Sequence, residues 1–119
     1  MQAIFDGLGR TVAWLHESGV VHDLNGAPMA FINGRAVYDY AGNHKAWFHD
    51  GFFRDGHGDA VAFMRGCRGG PLPPLPELPP IPPLRSLAPL KPLTGLPGLP
   101  PLSTLNWSGL TWEELMELD

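Results

Sequence analysis

The chain has a single cysteine, Cys67, so no intramolecular disulfide can form, and the lone thiol says little about redox compartment. Basic clusters are missing: no Lys/Arg run exceeds two residues and the net charge is −4. Nucleic-acid binding, which needs a Lys/Arg face, is therefore disfavoured. No apolar run reaches the roughly 20 residues of a membrane span. The opening residues, Met1-Gln2-Ala3-Ile4-Phe5-Asp6, lack a basic region and an apolar stretch. No signal peptide of standard form is expected. That places the protein in the cytoplasm by default, or outside the cell if it builds surface filaments. Proline is almost absent from the first half, where only Pro28 occurs. The other thirteen prolines lie between Pro71 and Pro101. The chain thus reads as residues 1–68, residues 69–106 and a tail of residues 107–119.

The first part contains four repeats. Asp6, Asp23, Asp39 and Asp55 are each followed three residues later by glycine: Gly9, Gly26, Gly42 and Gly58. Seven residues after each Asp comes Ala13, Ala30, Ala46 or Ala62. Next comes an aromatic, Trp14, Phe31, Trp47 or Phe63, and then Leu15, Ile32, Phe48 or Met64. Asp-x-x-Gly is turn chemistry, since the carboxylate accepts backbone N–H groups and glycine takes the left-handed conformation. Short apolar stretches flank each turn, so each unit reads as a β-hairpin with strands of three to six residues. One hairpin is marginal in water. Four of them can bury their faces around a pseudo-fourfold axis. With period 2, alanine and the following large residue share one face and the aromatic takes the other. The aromatic ring is then either core or a docking surface for proline-rich chain.

From Leu72 every third residue is aliphatic: Leu72, Leu75, Leu78, Ile81, Leu84, Leu87, Leu90, Leu93, Leu96, Leu99, Leu102 and Leu105. The residues between are mostly proline. A period of three matches the polyproline II helix, at about 3.1 Å per residue. All twelve aliphatics fall on one edge, which predicts docking along an apolar surface. Collagen-like packing is excluded because the third residue is not glycine. Residues 71–102 reach on the order of 100 Å when straight, against a body roughly 28 Å across. The segment must bend back, project, or dock on other copies.

The tail Thr111-Trp112-Glu113-Glu114 fits a capping box. A short helix with Leu115, Met116 and Leu118 on one side follows, with Trp107, Trp112 and Leu115 as its anchors.

The Asp-x-x-Gly-x-x-x-Ala-aromatic units, the Gly-Gly-Pro-Leu-Pro run and the terminal Trp107-Ser108…Trp112-Glu113-Glu114-Leu115 resemble the four-fold beta flower domain. That resemblance implies a four-hairpin β fold with a Pro-rich continuation, and a family without assigned activity. It brings no catalytic or binding residues.

Chemistry is sparse. His44, His49, Asp50, Asp55, His57 and Asp59 show no known metal-ligand spacing and read as turn residues. The repeated aspartates read as turn residues rather than calcium ligands, because each has its glycine. Ser18, the only serine of the β-half, sits beside the loop Gly19, Cys67 has no obvious base, and no phosphate loop is present. No cofactor, catalytic residue or metal is expected. The leading expectation is a non-enzymatic structural protein. Its Leu-striped segment would pack on β-domains of other copies and build an oligomer or filament. One alternative is an adaptor offering Pro-x-x-Pro steps, such as Pro71-Leu72-Pro73-Pro74, to SH3- or WW-like partners; only Arg85 and Lys91 supply the basic flanks such ligands use. Another is carbohydrate binding by the repeated aromatics.

Overall fold

In each repeat the aspartate organises the turn. Oδ1 of Asp6 accepts the N–H of Leu8 and Arg10 at 2.9 and 3.0 Å. Asp23, Asp39 and Asp55 do the same for Asn25 and Ala27, Ala41 and Asn43, and His57 and Asp59. Each aspartate carbonyl accepts the N–H of the turn glycine, and the four glycines have φ of 81 to 90°. These turns join β1 (Gln2–Asp6) to β2 (Thr11–Leu15), β3 (Val20–His22) to β4 (Pro28–Asn33), β5 (Ala36–Tyr38) to β6 (His44–His49), and β7 (Phe52–Arg54) to β8 (Ala60–Phe63).

The computed structural model describes residues 1–117. Its eight strands pair antiparallel in chain order, and β8 pairs back onto β1, so the sheet closes into a barrel. Closure removes every sheet edge. Ala13, Ala30, Ala46 and Ala62 fill the centre with Ile4, Val21, Val37 and Phe53. Small residues alternate with larger ones, as a narrow barrel requires. Leu15, Ile32 and Phe48 are half-buried around the end away from the aspartate turns. A register shift recurs just before Phe5, His22, Tyr38 and Arg54, at the same place in all four hairpins. Such bulges re-aim the next side chain.

The opposite end is closed by α1 (Trp112–Glu117). Trp112 and Leu115 are buried, and the Trp112 ring meets Phe53 edge-on at 5.2 Å. The capping box forms: Glu114 N–H donates to Thr111 Oγ1 at 3.1 Å, and Thr111 N–H donates to Glu114 Oε1 at 3.0 Å. Leu118, expected on the helix's apolar side, lies outside the described residues. A helix this short depends on its cap and on docking. Thr111→Ala is therefore expected to cost about 1 kcal/mol, read as a lower urea midpoint at unchanged slope.

Residues 72–104 carry neither helix nor strand. They run around the barrel and contact the four turn glycines in order. The molecule is a disc of 36 × 36 × 22 Å. Its perimeter is about 110 Å, close to the segment's reach at 3.1 Å per residue. The length that rules out a straight path across the body suits a path around it. The expected docking on other copies is thus corrected to docking on the chain's own barrel.

Candidate functional site

The belt and barrel meet on a nine-residue rhythm. The backbone at Leu75, Leu84, Leu93 and Leu102 passes over Gly9, Gly26, Gly42 and Gly58. A Cβ on Gly26 would meet the Leu84 carbonyl oxygen at 2.1 Å, and one on Gly58 would meet that of Leu102 at 2.0 Å. Two residues further along, Glu77, Ser86 and Thr104 donate N–H to the carbonyls of Gly9, Gly26 and Gly58 at 2.8, 2.9 and 3.1 Å. Proline has no N–H to give. Glu77, Ser86, Gly95 and Thr104 are all non-proline, whereas Pro74, Pro83, Pro92 and Pro101 are all proline and all half-buried. Both nine-residue patterns stand in the sequence beneath the more conspicuous period of three.

The leucine edge does not face the barrel. Its twelve aliphatics are 74 to 102% exposed. This corrects the expectation that the stripe itself is the docking face. The backbone lies against the turn glycines too closely for a leucine side chain to fit between, so the flat proline edges go inward. Trp14, Phe31, Trp47 and Phe63 are buried on the outer wall of the barrel. Trp14 lines a cavity of about 370 Å³ with Pro79, Pro80 and Pro82. Phe63 lines another with Pro73, Pro74 and Pro76. Lys91 of the belt sits 5.4 Å above the Phe31 ring.

Three residues just before the turn aspartates hold the belt or the turn carbonyls that bind it. Tyr38 Oη donates to Gly95 O at 3.2 Å. His22 Nδ1 donates to Gly26 O at 3.1 Å. Arg54 does most. It donates to Gly58 O at 2.6 Å, to Thr104 O at 2.9 Å and to Gly69 O at 3.2 Å. Gly69 precedes the belt and Thr104 ends it, so one buried guanidinium joins both ends. It also lies 5.1 Å over the Phe52 ring. Burial pushes its pKa down, while Asp59 and Asp55 oppose that shift. No sequence pattern marked Arg54, because Gly69 and Thr104 join it only through the tertiary structure.

The last turn of the belt is further fixed. Thr104 Oγ1 donates to Asp59 Oδ1 at 2.6 Å, and Ser108 Oγ donates to Asp55 Oδ2 at 2.5 Å. Trp107 pairs with Ala60 through a parallel bridge and packs on Phe52 and Phe63. Glu77 Oε1 accepts the Thr11 N–H at 2.7 Å in the first repeat. Asp55 and Asp59 are thus engaged in holding the belt. Among the described residues no three His, Cys, Asp or Glu gather as a metal cluster. Burial raises the Cys67 thiol pKa, which lowers its thiolate fraction at neutral pH.

Fold and site together define a β-barrel of four hairpins girdled by its own proline-rich chain. Residues 2–116 match the family model described as the 4-fold beta flower protein, and the chain belongs to that family. It is not a known enzyme family. No curated protein and no solved structure matches the chain significantly. No helix among the described residues is long and apolar enough to cross a membrane.

Proposed function

We propose that the protein is a non-enzymatic assembly module that works through its outward leucine rim. The observation that carries this reading is the exposure of twelve aliphatics around one disc. Soluble monomers rarely expose a contiguous apolar patch beyond a few hundred Å². Covering one leucine contributes about 1.5–3 kcal/mol before ordering costs. The belt is already held on the barrel, so little ordering remains to oppose association. The partner is a second copy, packed leucine to leucine. Two convex rims meet through only about two or three leucines each, since these lie about 9 Å apart along the belt. That falls short of the roughly 800 Å² per partner of a stable pair. Assembly therefore proceeds through several neighbours at once.

The adaptor reading is weaker in this geometry, because Pro71 is buried and Pro73 and Pro74 are half-buried against the barrel. The carbohydrate reading lacks an open ring, since the four aromatics are at most 8% exposed.

Light scattering across a concentration series, beside negative-stain microscopy, tests the proposal. The wild type is expected to grow in mass with concentration. Leu78→Ser, Leu87→Ser and Leu96→Ser combined should abolish lateral, rim-to-rim growth with the thermal midpoint nearly unchanged, because exposed substitutions usually shift stability by less than about 0.5 kcal/mol. A wild type that stays monomeric at high concentration sinks the reading.

A further inference from the structure

The two flat ends of the disc are chemically unlike. The end that carries the aspartate turns and α1 has the four turn aspartates, two of them (Asp6 and Asp55) buried, with Asp59, Glu113, Glu114 and Glu117, against Arg10, Lys45 and the buried Arg54. Glu113, Glu114 and Glu117 are exposed. Arg10 is already paired with Asp6 at 2.9 Å, and Lys45 lies 3.6 Å from Asp39. The opposite end carries exposed Arg35, Arg65 and Arg68 on its loops, against Glu17 and Asp50. One end is strongly acidic and the other mildly basic.

They also differ in closure. Trp112 and Leu115 seal the acidic end. No helix of the described residues covers the basic end. There Leu15, Ile32 and Phe48 stay half-buried. Beside them a cleft of about 490 Å³ opens between Met1, Gln2, Leu15, His16 and Glu17. This end therefore has apolar surface left to cover and a charge that selects what covers it.

We propose that copies stack end to end in one direction, the acidic helix end of one disc seated on the basic open end of the next. Charge complementarity selects a second copy as the occupant, and head to tail rather than tail to tail. The available area agrees: a face 36 Å across offers about 1,000 Å², against the roughly 800 Å² per partner of a stable interface. The contact is heterologous, so it does not close on itself and yields a rod rather than a dimer. This association is distinct from rim packing, and the two fail separately.

The experiment uses full-length protein carrying the three leucine-to-serine rim substitutions, so that rim contacts are silent. Sedimentation velocity and negative-stain microscopy are run at 50 and 500 mM NaCl. The expected result is rods with an axial repeat near the 22 Å thickness of the disc. The association constant should fall about tenfold or more at high salt, as charges at an interface rim are screened. Two charge variants follow. Arg35→Glu with Arg68→Glu makes both ends acidic, and Glu113→Arg with Glu117→Arg replaces two exposed carboxylates of the helix end by cations and removes most of its net negative charge. Each alone should lose the rods. An equimolar mixture of the two should regain association, because the acidic ends of one variant face the basic ends of the other. Near-UV circular dichroism confirms that each variant is folded. Rim-silenced protein that stays monomeric at low salt, rods indifferent to salt and charge reversal, or a mixture that fails to associate overturns the proposal. Wild type that forms the same rods as the rim-substituted protein, with no lateral growth for the substitutions to remove, leaves stacking standing and sinks the rim reading alone.

Discussion

Gly58→Ala is expected to destabilise the protein by about 3–5 kcal/mol, among the larger effects a single methyl group can have. Two penalties add. The residue has φ +85°, where an L side chain costs about 1–2 kcal/mol. The new Cβ would also meet the Leu102 carbonyl oxygen at 2.0 Å. Backbone cannot swing away as a flexible side chain can. The belt must lift there, and the Thr104 N–H loses its bond to Gly58 O. Gly34→Ala separates the two causes. Its φ is +65°, with nothing within 4 Å of the added Cβ. Strain alone should then cost about 1–2 kcal/mol. Urea denaturation followed by tryptophan fluorescence gives both values. Hydrogen exchange at Thr104 should accelerate in Gly58→Ala and stay unchanged in Gly34→Ala. Equal losses in the two variants would mean that the belt yields freely and contributes little to stability.

Arg54→Leu is expected to cost about 3–6 kcal/mol. The guanidinium donates to the carbonyls of Gly58, Thr104 and Gly69. Truncation removes three charge-assisted donations, each worth about 1.5–3 kcal/mol and less at the part-buried Thr104 and Gly69 carbonyls, while Gly58 O keeps the Thr104 N–H. Leucine roughly keeps the apolar volume against Phe52, so the loss reads the hydrogen bonds rather than a cavity. Arg54→Lys should recover only part of the difference. An ammonium is a compact charge and cannot span three acceptors that a planar fork reaches together. Limited proteolysis gives a second readout: both belt ends, near Gly69 and Thr104, should be cut faster than in wild type. If Arg54→Leu unfolds at the wild-type midpoint, the belt is closed by other contacts.

Much of the fold could be read along the chain because its causes are local. An aspartate whose carboxylate accepts the N–H groups two and four residues downstream, with a glycine at positive φ between, needs no tertiary partner. Four copies of that turn were visible as a spacing, and so were the Ala-aromatic-apolar strands that follow. The capping box of Thr111 and Glu114 was legible for the same reason. The nine-residue rhythm of the belt was also present, in the unbroken set Pro74, Pro83, Pro92 and Pro101. It is hard to see without the turn glycines that explain it, because the threefold leucine pattern masks it. Arg54 carried no mark at all: Gly58 is near it within one hairpin, but residues 69 and 104 meet it only in the tertiary structure.

By itself the sequence determined the hairpins, their fourfold count, the central alanines and a leucine edge on an extended segment. Each follows from turn chemistry or from the period of side chains along a backbone. Only the tertiary structure decided which edge of that segment faces in. An extended helix with three edges has no local preference among them. The choice came from the close passage of its backbone over Gly9, Gly26, Gly42 and Gly58, which admits proline and excludes leucine. The same packing turned twelve aliphatics to solvent and brought the two ends of the belt to one arginine.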